Sequence, residues 1–282
     1  MTALVDDALL PAAPYLTSDA AADVIAPAIA ATGAMLVSCS PVQVQYRPGN
    51  DLVVRYRVES ADPAGNLSHA TVMAGTTVHG PPPGTLEVEG DGLTVGVWQW
   101  PFDPILTGLE RAVRPDLAAE LLAGYLAGQP ALEVIVYRPT ERAVVRATAA
   151  DGRRAYVKIV PPGLADGLVT RHRLLREAGL PVPEVVAADV AHGLIVLSEL
   201  VGPTLRELLK DGAPAEALPP AGDFAELRRR LRDVPLGEVA HKPSRTTDAA
   251  AHARMLAEVL PEARDRLDRI VAMATERAVA GA

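Results

Sequence analysis

One twelve-residue pattern occurs twice in this chain. Val44-Gln45-Tyr46-Arg47-Pro48-Gly49-Asn50-Asp51-Leu52-Val53-Val54-Arg55 recurs, 91 residues on, as Ile135-Val136-Tyr137-Arg138-Pro139-Thr140-Glu141-Arg142-Ala143-Val144-Val145-Arg146. In the first copy Val42, Val44 and Tyr46 alternate with Gln43 and Gln45, and both copies turn through Arg-Pro and leave along an apolar run. That is the signature of strand, turn, strand. The chain therefore carries a weak internal repeat of a strand-turn-strand unit, the alternative being two unrelated hairpins that use a common Arg-Pro turn.

Other elements follow from local punctuation. Ser18 or Asp19 is placed to cap a helix reaching about Ala31, which Gly33 ends. Strands are expected around Ser68–Ala74 and Leu93–Trp98, with the run His79 to Gly84 as a loop between them. A helix is expected from Pro104 to Leu126, broken near Pro115. The second hairpin runs on through an Asp151-Gly152 turn into a strand from Ala155 to Val160. A helix then reaches Ala178, where Gly179 stops it and Pro181 and Pro183 force an extended exit. Glu184–Asp189 and Leu194–Leu200 form another hairpin. Helices at 205–210, 223–232 and 247–279 complete the chain.

Composition excludes several classes. The chain has 282 residues, 49% of them hydrophobic, enough for a sizeable core. Its 27 basic and 35 acidic residues leave a net charge of −8, so no broad cationic face for nucleic acid is expected. An aromatic content of 4% argues against base-stacking platforms. No apolar run is long enough for a membrane span, and the first basic residue is Arg47, so no secretory leader is expected. With a single cysteine, Cys39, the cytoplasm is the default location. The histidines and the cysteine show no metal-ligand spacing.

The candidate site centres on Lys158. Only three lysines occur, Lys158, Lys210 and Lys242. Strand alternation sends Tyr156, Lys158 and Val160 to one face of the third strand and Ala155, Val157 and Ile159 to the other. A lysine there, with a helix and two more strands following, can bridge two phosphates of ATP.

The segments Tyr137-Arg138-Pro139, Ala155 to Val160, His172 to Val185 and Gly193 to Gly202 resemble the aminoglycoside phosphotransferase superfamily, and within it the maltokinase-like phosphotransferases with an amino-terminal cap domain. The resemblance implies an α+β chain. Residues 1–128 would form the cap, 129–203 a kinase-like amino-terminal lobe with a five-stranded antiparallel sheet and a helix, and 204–282 part of a helical second lobe. It also implies ATP as the nucleotide and a small hydroxylated acceptor, a sugar or an aminoglycoside. Site roles follow. The Glu199 carbonyl and Val201 N–H would meet adenine, Ser198 would limit access behind the base, and Thr140 would lie in the turn that covers the nucleotide. That turn has no glycine.

Two departures limit the activity. The family pairs its lysine with a glutamate on the next helix, where this chain reads Leu168-Val169-Thr170, with Asp166 and Glu177 the only acidic residues of the helix. Its His-Gly-Asp catalytic loop and the Asn and Asp that hold magnesium are also missing; His79-Gly80-Pro81 and His192-Gly193-Leu194 lack the aspartate. The segment from Val234 to Pro243 resembles the stretch just before that loop. No catalytic residue is therefore assigned, and this chain alone is expected to be inactive, as if cut before the loop. The alternative is a non-catalytic interaction module, or pseudokinase, that pairs with another chain. Apolar faces within 205–282 would then seek self-association or a partner.

Overall fold

The computed structural model describes residues 7–212, 214, 217–235 and 249–280. The chain divides into two compact units, Met1–Trp100 with Ala240–Ala282, and Pro101–Val239. Both are α+β, and each contains one five-stranded antiparallel sheet.

The first unit begins with α1 (Ala13–Leu16) and α2 (Ala21–Ala30). Ala20 takes the N-cap position of α2 without a side-chain cap bond, so the expected capping by Ser18 or Asp19 does not occur. The Ser18 hydroxyl instead donates back to the Tyr15 carbonyl (3.4 Å). Strands β1 (Met35–Arg47), β2 (Asp51–Ala61), β3 (Leu67–Thr77), β4 (Leu86–Gly90) and β5 (Leu93–Gln99) follow, in the sheet order β1-β2-β3-β5-β4. Leu52, Val54, Tyr56 and Val58 alternate onto one face of β2 and are fully buried with Leu16, Ile25 and Ile29. Period-2 and period-3.6 apolar patterns meet there. The Tyr56 hydroxyl, buried with that face, donates to the Leu16 carbonyl.

The second unit begins with α3 (Leu109–Val113) and α4 (Pro115–Leu122). The helix expected over 104–126 is broken at Pro115 as expected, because Arg114, preceding the proline, is extended (φ −84°, ψ 123°). Residues 101–128, grouped with the amino-terminal domain in the sequence reading, fall in this unit, and α3 packs on its sheet. The sheet comprises β6 (Ala131–Arg138), β7 (Arg142–Thr148), β8 (Arg154–Ile159), β9 (Val185–Asp189) and β10 (Leu194–Ser198). Helix α5 (Pro162–Glu177) lies between β8 and β9 in sequence. The order is β6-β7-β8-β10-β9, the same plan as the first sheet. Helices α6 (Leu205–Lys210) and α7 (Ala221–Arg232) follow. In the carboxy-terminal part of the first unit, α8 (Ala249–Val259) packs against α9 (Arg264–Ala280). Residues 236–248, part of the segment read as leading to a catalytic loop, lie outside the described residues.

The likeness of the units extends to one buried device. Asp103, 3% exposed, accepts hydrogen bonds from the Tyr137 hydroxyl (2.9 Å), the Thr140 N–H (2.9 Å), the Ile105 N–H (3.0 Å) and the Leu106 N–H (2.9 Å). Asp7 does the same for the first hairpin, accepting from the Tyr46 hydroxyl (2.9 Å), the Gly49 N–H (2.8 Å) and the Leu9 N–H (3.0 Å). Gly49 and Thr140 occupy equivalent turn positions with φ of 64° and 62°. Glycine adopts that conformation freely, whereas Thr140 is held in it, its N–H taken by a buried carboxylate.

Candidate functional site

Lys158 lies in β8, opposite Val144 on β7 and Ile195 on β10. Its neighbours Val157 and Ile159 are fully buried on the α3 side of the sheet, while Tyr156 and Lys158 are half-buried on the other face. Helix α5 partly covers that face through Ala165 and Val169, which pack with Ile195 and Leu197. Burial, and then the Arg142 and Arg171 guanidinium groups, hold the Lys158 ammonium below the usual lysine range. Among the described residues no carboxylate pairs with Lys158. Asp166 and Glu177 are both exposed, and among the described residues neither pairs with Lys158.

His172, one residue beyond Arg171 on α5, faces the Pro183 carbonyl through Nδ1 (3.3 Å). Because a carbonyl only accepts, Nδ1 carries the proton in that contact. Burial lowers the His172 pKa against the pull of that carbonyl, and the Lys158 and Arg171 charges lower it further. Lys158, Arg142, Arg171 and His172 thus form one basic cluster.

The other candidate residues are distributed around it. Ser198 ends β10 opposite Ala155, three residues from the Lys158 pair, so about 10 Å along the strand. Its hydroxyl accepts from the Glu184 N–H (2.9 Å) and its own N–H donates to the Glu184 carbonyl (2.9 Å). The Glu199 carboxylate pairs with Arg154 at 3.0 Å. Val201 is 95% exposed. Thr140 stands at the β6–β7 turn, its N–H committed to Asp103 and its hydroxyl donating to the Pro139 carbonyl (2.7 Å). The structure therefore puts Lys158 and Ser198 on adjacent strands, but Ser198, paired with Ala155, alternates onto the opposite face of the sheet, and Glu199 lies just beyond the end of β10. Thr140, by contrast, is a pinned turn residue whose amide has no donor left for a ligand.

Sequence reasoning missed Asp103, Arg142 and Arg171. The signal for Asp103 was present as a short recurrence, Asp7-Ala8-Leu9-Leu10 against Asp103-Pro104-Ile105-Leu106. Arg142 and Arg171 carry no such signal, because only the register and the seat of α5 bring them to Lys158.

The first sheet shows what the same plan looks like without the lysine. Val53, 91 residues before Val144, pairs with Gly75 as Val144 pairs with Lys158. A Cβ at Gly75 would lie 2.9 Å from the Leu52 carbonyl oxygen and 3.2 Å from the Trp98 ring. No longer side chain fits that position. This unit instead has a cavity of about 160 Å3 lined by residues including Tyr15, Asp23, Val88, Glu89, Asp91 and Leu93.

Magnesium, implied by the resemblance, does not match the donor set. No group of three or more His, Cys, Asp or Glu side chains suited to a metal occurs among the described residues, and the groups around Lys158 are cationic. No helix among them is long and apolar enough to cross a membrane. No protein-family model and no curated protein sequence matches the chain.

Proposed function

We propose that the β6–β10 sheet is the nucleotide-binding lobe of a small-molecule phosphotransferase and that this chain alone binds ATP without transferring its phosphate. The observation that carries the reading is Lys158: a half-buried cation on the third strand, held without a carboxylate partner among the described residues. An unpaired half-buried ammonium costs stability, and contact with an anion would offset that cost. Support comes also from the element order, in which a helix separates the third and fourth strands and the fifth strand lies between the third and fourth, as in a kinase amino-terminal lobe. In this reading the phosphates lie against Lys158 and the adenine toward Glu199 and Val201. A sugar or aminoglycoside hydroxyl would be the acceptor of a complete enzyme. The sequence has no His-Gly-Asp motif to position that hydroxyl.

Equilibrium dialysis with ATP tests the proposal: saturable binding is expected, at least tenfold weaker in Lys158→Ala, with phosphate release at background in both. Binding undiminished by the substitution would remove Lys158 from the site. Turnover above background that depends on Lys158 would show that the catalytic centre has been misplaced.

A second reading, an interaction module that self-associates or pairs with another chain, is favoured by α7. Phe224, Leu227 and Leu231 recur at helical spacing and are 42%, 40% and 50% exposed. Light scattering at micromolar concentration would separate the two, a monodisperse monomer counting against association through this helix.

A further inference from the structure

We infer that the Lys158 site takes its polyphosphate as the metal-free anion, with Arg142, Lys158 and Arg171 supplying the positive charge that a divalent cation would otherwise supply. The inference rests on the nucleotide reading but departs from the metal-dependent chemistry it implies.

Three observations carry it. First, the cations converge. Arg142 is two residues from Val144, the partner of Lys158, and on the same face. Such diagonal neighbours on adjacent strands are roughly 7–8 Å apart, within reach of two long side chains meeting one ligand. Arg171 lies on α5, one turn beyond Leu168, which packs with Ala165 and Val169 on this face of the sheet, and its charge acts on Lys158. Its Nε donates to the Gly167 carbonyl (3.0 Å), and among the described residues its terminal nitrogens have no carboxylate partner. Second, the charge is uncompensated. No carboxylate pairs with Arg142, Lys158 or Arg171 among the described residues, whereas nearby arginines are neutralised: Arg146 by Glu133, Arg138 by Glu141 (3.7 Å) and Arg154 by Glu199 (3.0 Å). In a chain of net charge −8, three clustered cations without a counter-charge form a local anion trap. Third, the turn that would otherwise wrap phosphate is closed to it. The Thr140 N–H belongs to Asp103, and the Glu141 N–H donates to the Arg138 carbonyl (3.1 Å). Side chains, not backbone amides, are the donors on offer.

Divalent metal would then compete with the protein for the same phosphate oxygens. The test is titration of the full chain with ATP and, separately, inorganic tripolyphosphate, each in EDTA and in excess Mg2+. ATP is expected to bind in EDTA at least as tightly as in Mg2+. Arg142→Gln and Arg171→Gln, both exposed positions, should each weaken it about three- to fivefold, the effect of one partly exposed charge contact. Unchanged circular dichroism in both variants would show that the loss is not unfolding. ATP binding that appears only with Mg2+, or that neither arginine substitution alters, overturns the inference and leaves the nucleotide reading standing. Tripolyphosphate binding in EDTA without any preference for ATP does the reverse, supporting the cation cluster and removing the adenine assignment. No binding of either probe in either condition sinks both.

Discussion

Half-buried Lys158 and buried Asp103 show how a single ionisable side chain is handled in opposite ways. Asp103 satisfies its carboxylate with four donors, so burying it stabilises the turn. Asp103→Ala strands those donors and should cost about 3 kcal/mol in urea denaturation, whereas Asp7→Ala, at the more exposed counterpart, should cost about 1 kcal/mol. Equal costs would mean that burial does not set the strength of the device. Lys158 is half-buried and also faces two guanidinium groups, so folding disfavours its charged form. Its pKa is lowered in the folded chain, and the unfolded chain therefore binds the proton more tightly. The resulting cost is fully present below the folded-state pKa and is relieved as pH rises through it toward the unfolded value. Lys158→Met should raise the melting temperature at neutral pH while abolishing anion binding. A fall in melting temperature would show that the lysine stabilises the sheet.

At the scale of elements, what the sequence shows best is what repeats or alternates. Both hairpins and the strand bearing Lys158 were legible because their period-2 pattern is strong and their turns carry Arg-Pro or Asp-Gly. Strand β4 was not, because Leu86-Glu87-Val88-Glu89-Gly90 is short, mostly exposed and adjoins a proline-rich loop. The basic cluster was invisible for another reason: Arg142 and Arg171 belong to different elements, and no local pattern records which side chains of two elements will meet. Nor does composition show how closely β10 and the start of α5 approach. At Gly193 (φ 72°) an added Cβ would lie 1.9 Å from the Val160 carbonyl oxygen. Gly193→Ala should therefore destabilise the second unit by about 3 kcal/mol or more, read as an earlier urea transition. A shift of less than ~1 kcal/mol would show that this turn can open without disturbing the sheet.

At the scale of the whole molecule, the chain builds one five-stranded plan twice and places a cation at the matched position of the third strand only in the second. The first fills the equivalent position with Gly75 beneath Trp98. The aspartates that pin the hairpins also decide where the chain can be divided. Asp103 precedes its tyrosine by 34 residues, and α3 covers the sheet from the same stretch. A cut at residue 129, the boundary that the resemblance implies, would take the Asp103 acceptor away from the Tyr137 hydroxyl and the Thr140 amide and uncover Ala143, Val145 and Ala147. A fragment starting at Pro101 keeps all of these. The 101–235 fragment should unfold cooperatively, and 129–235 should behave as a collapsed, protease-sensitive chain. In this protein the seam along which the polypeptide can be parted is marked by a buried carboxylate, upstream of the sheet it serves.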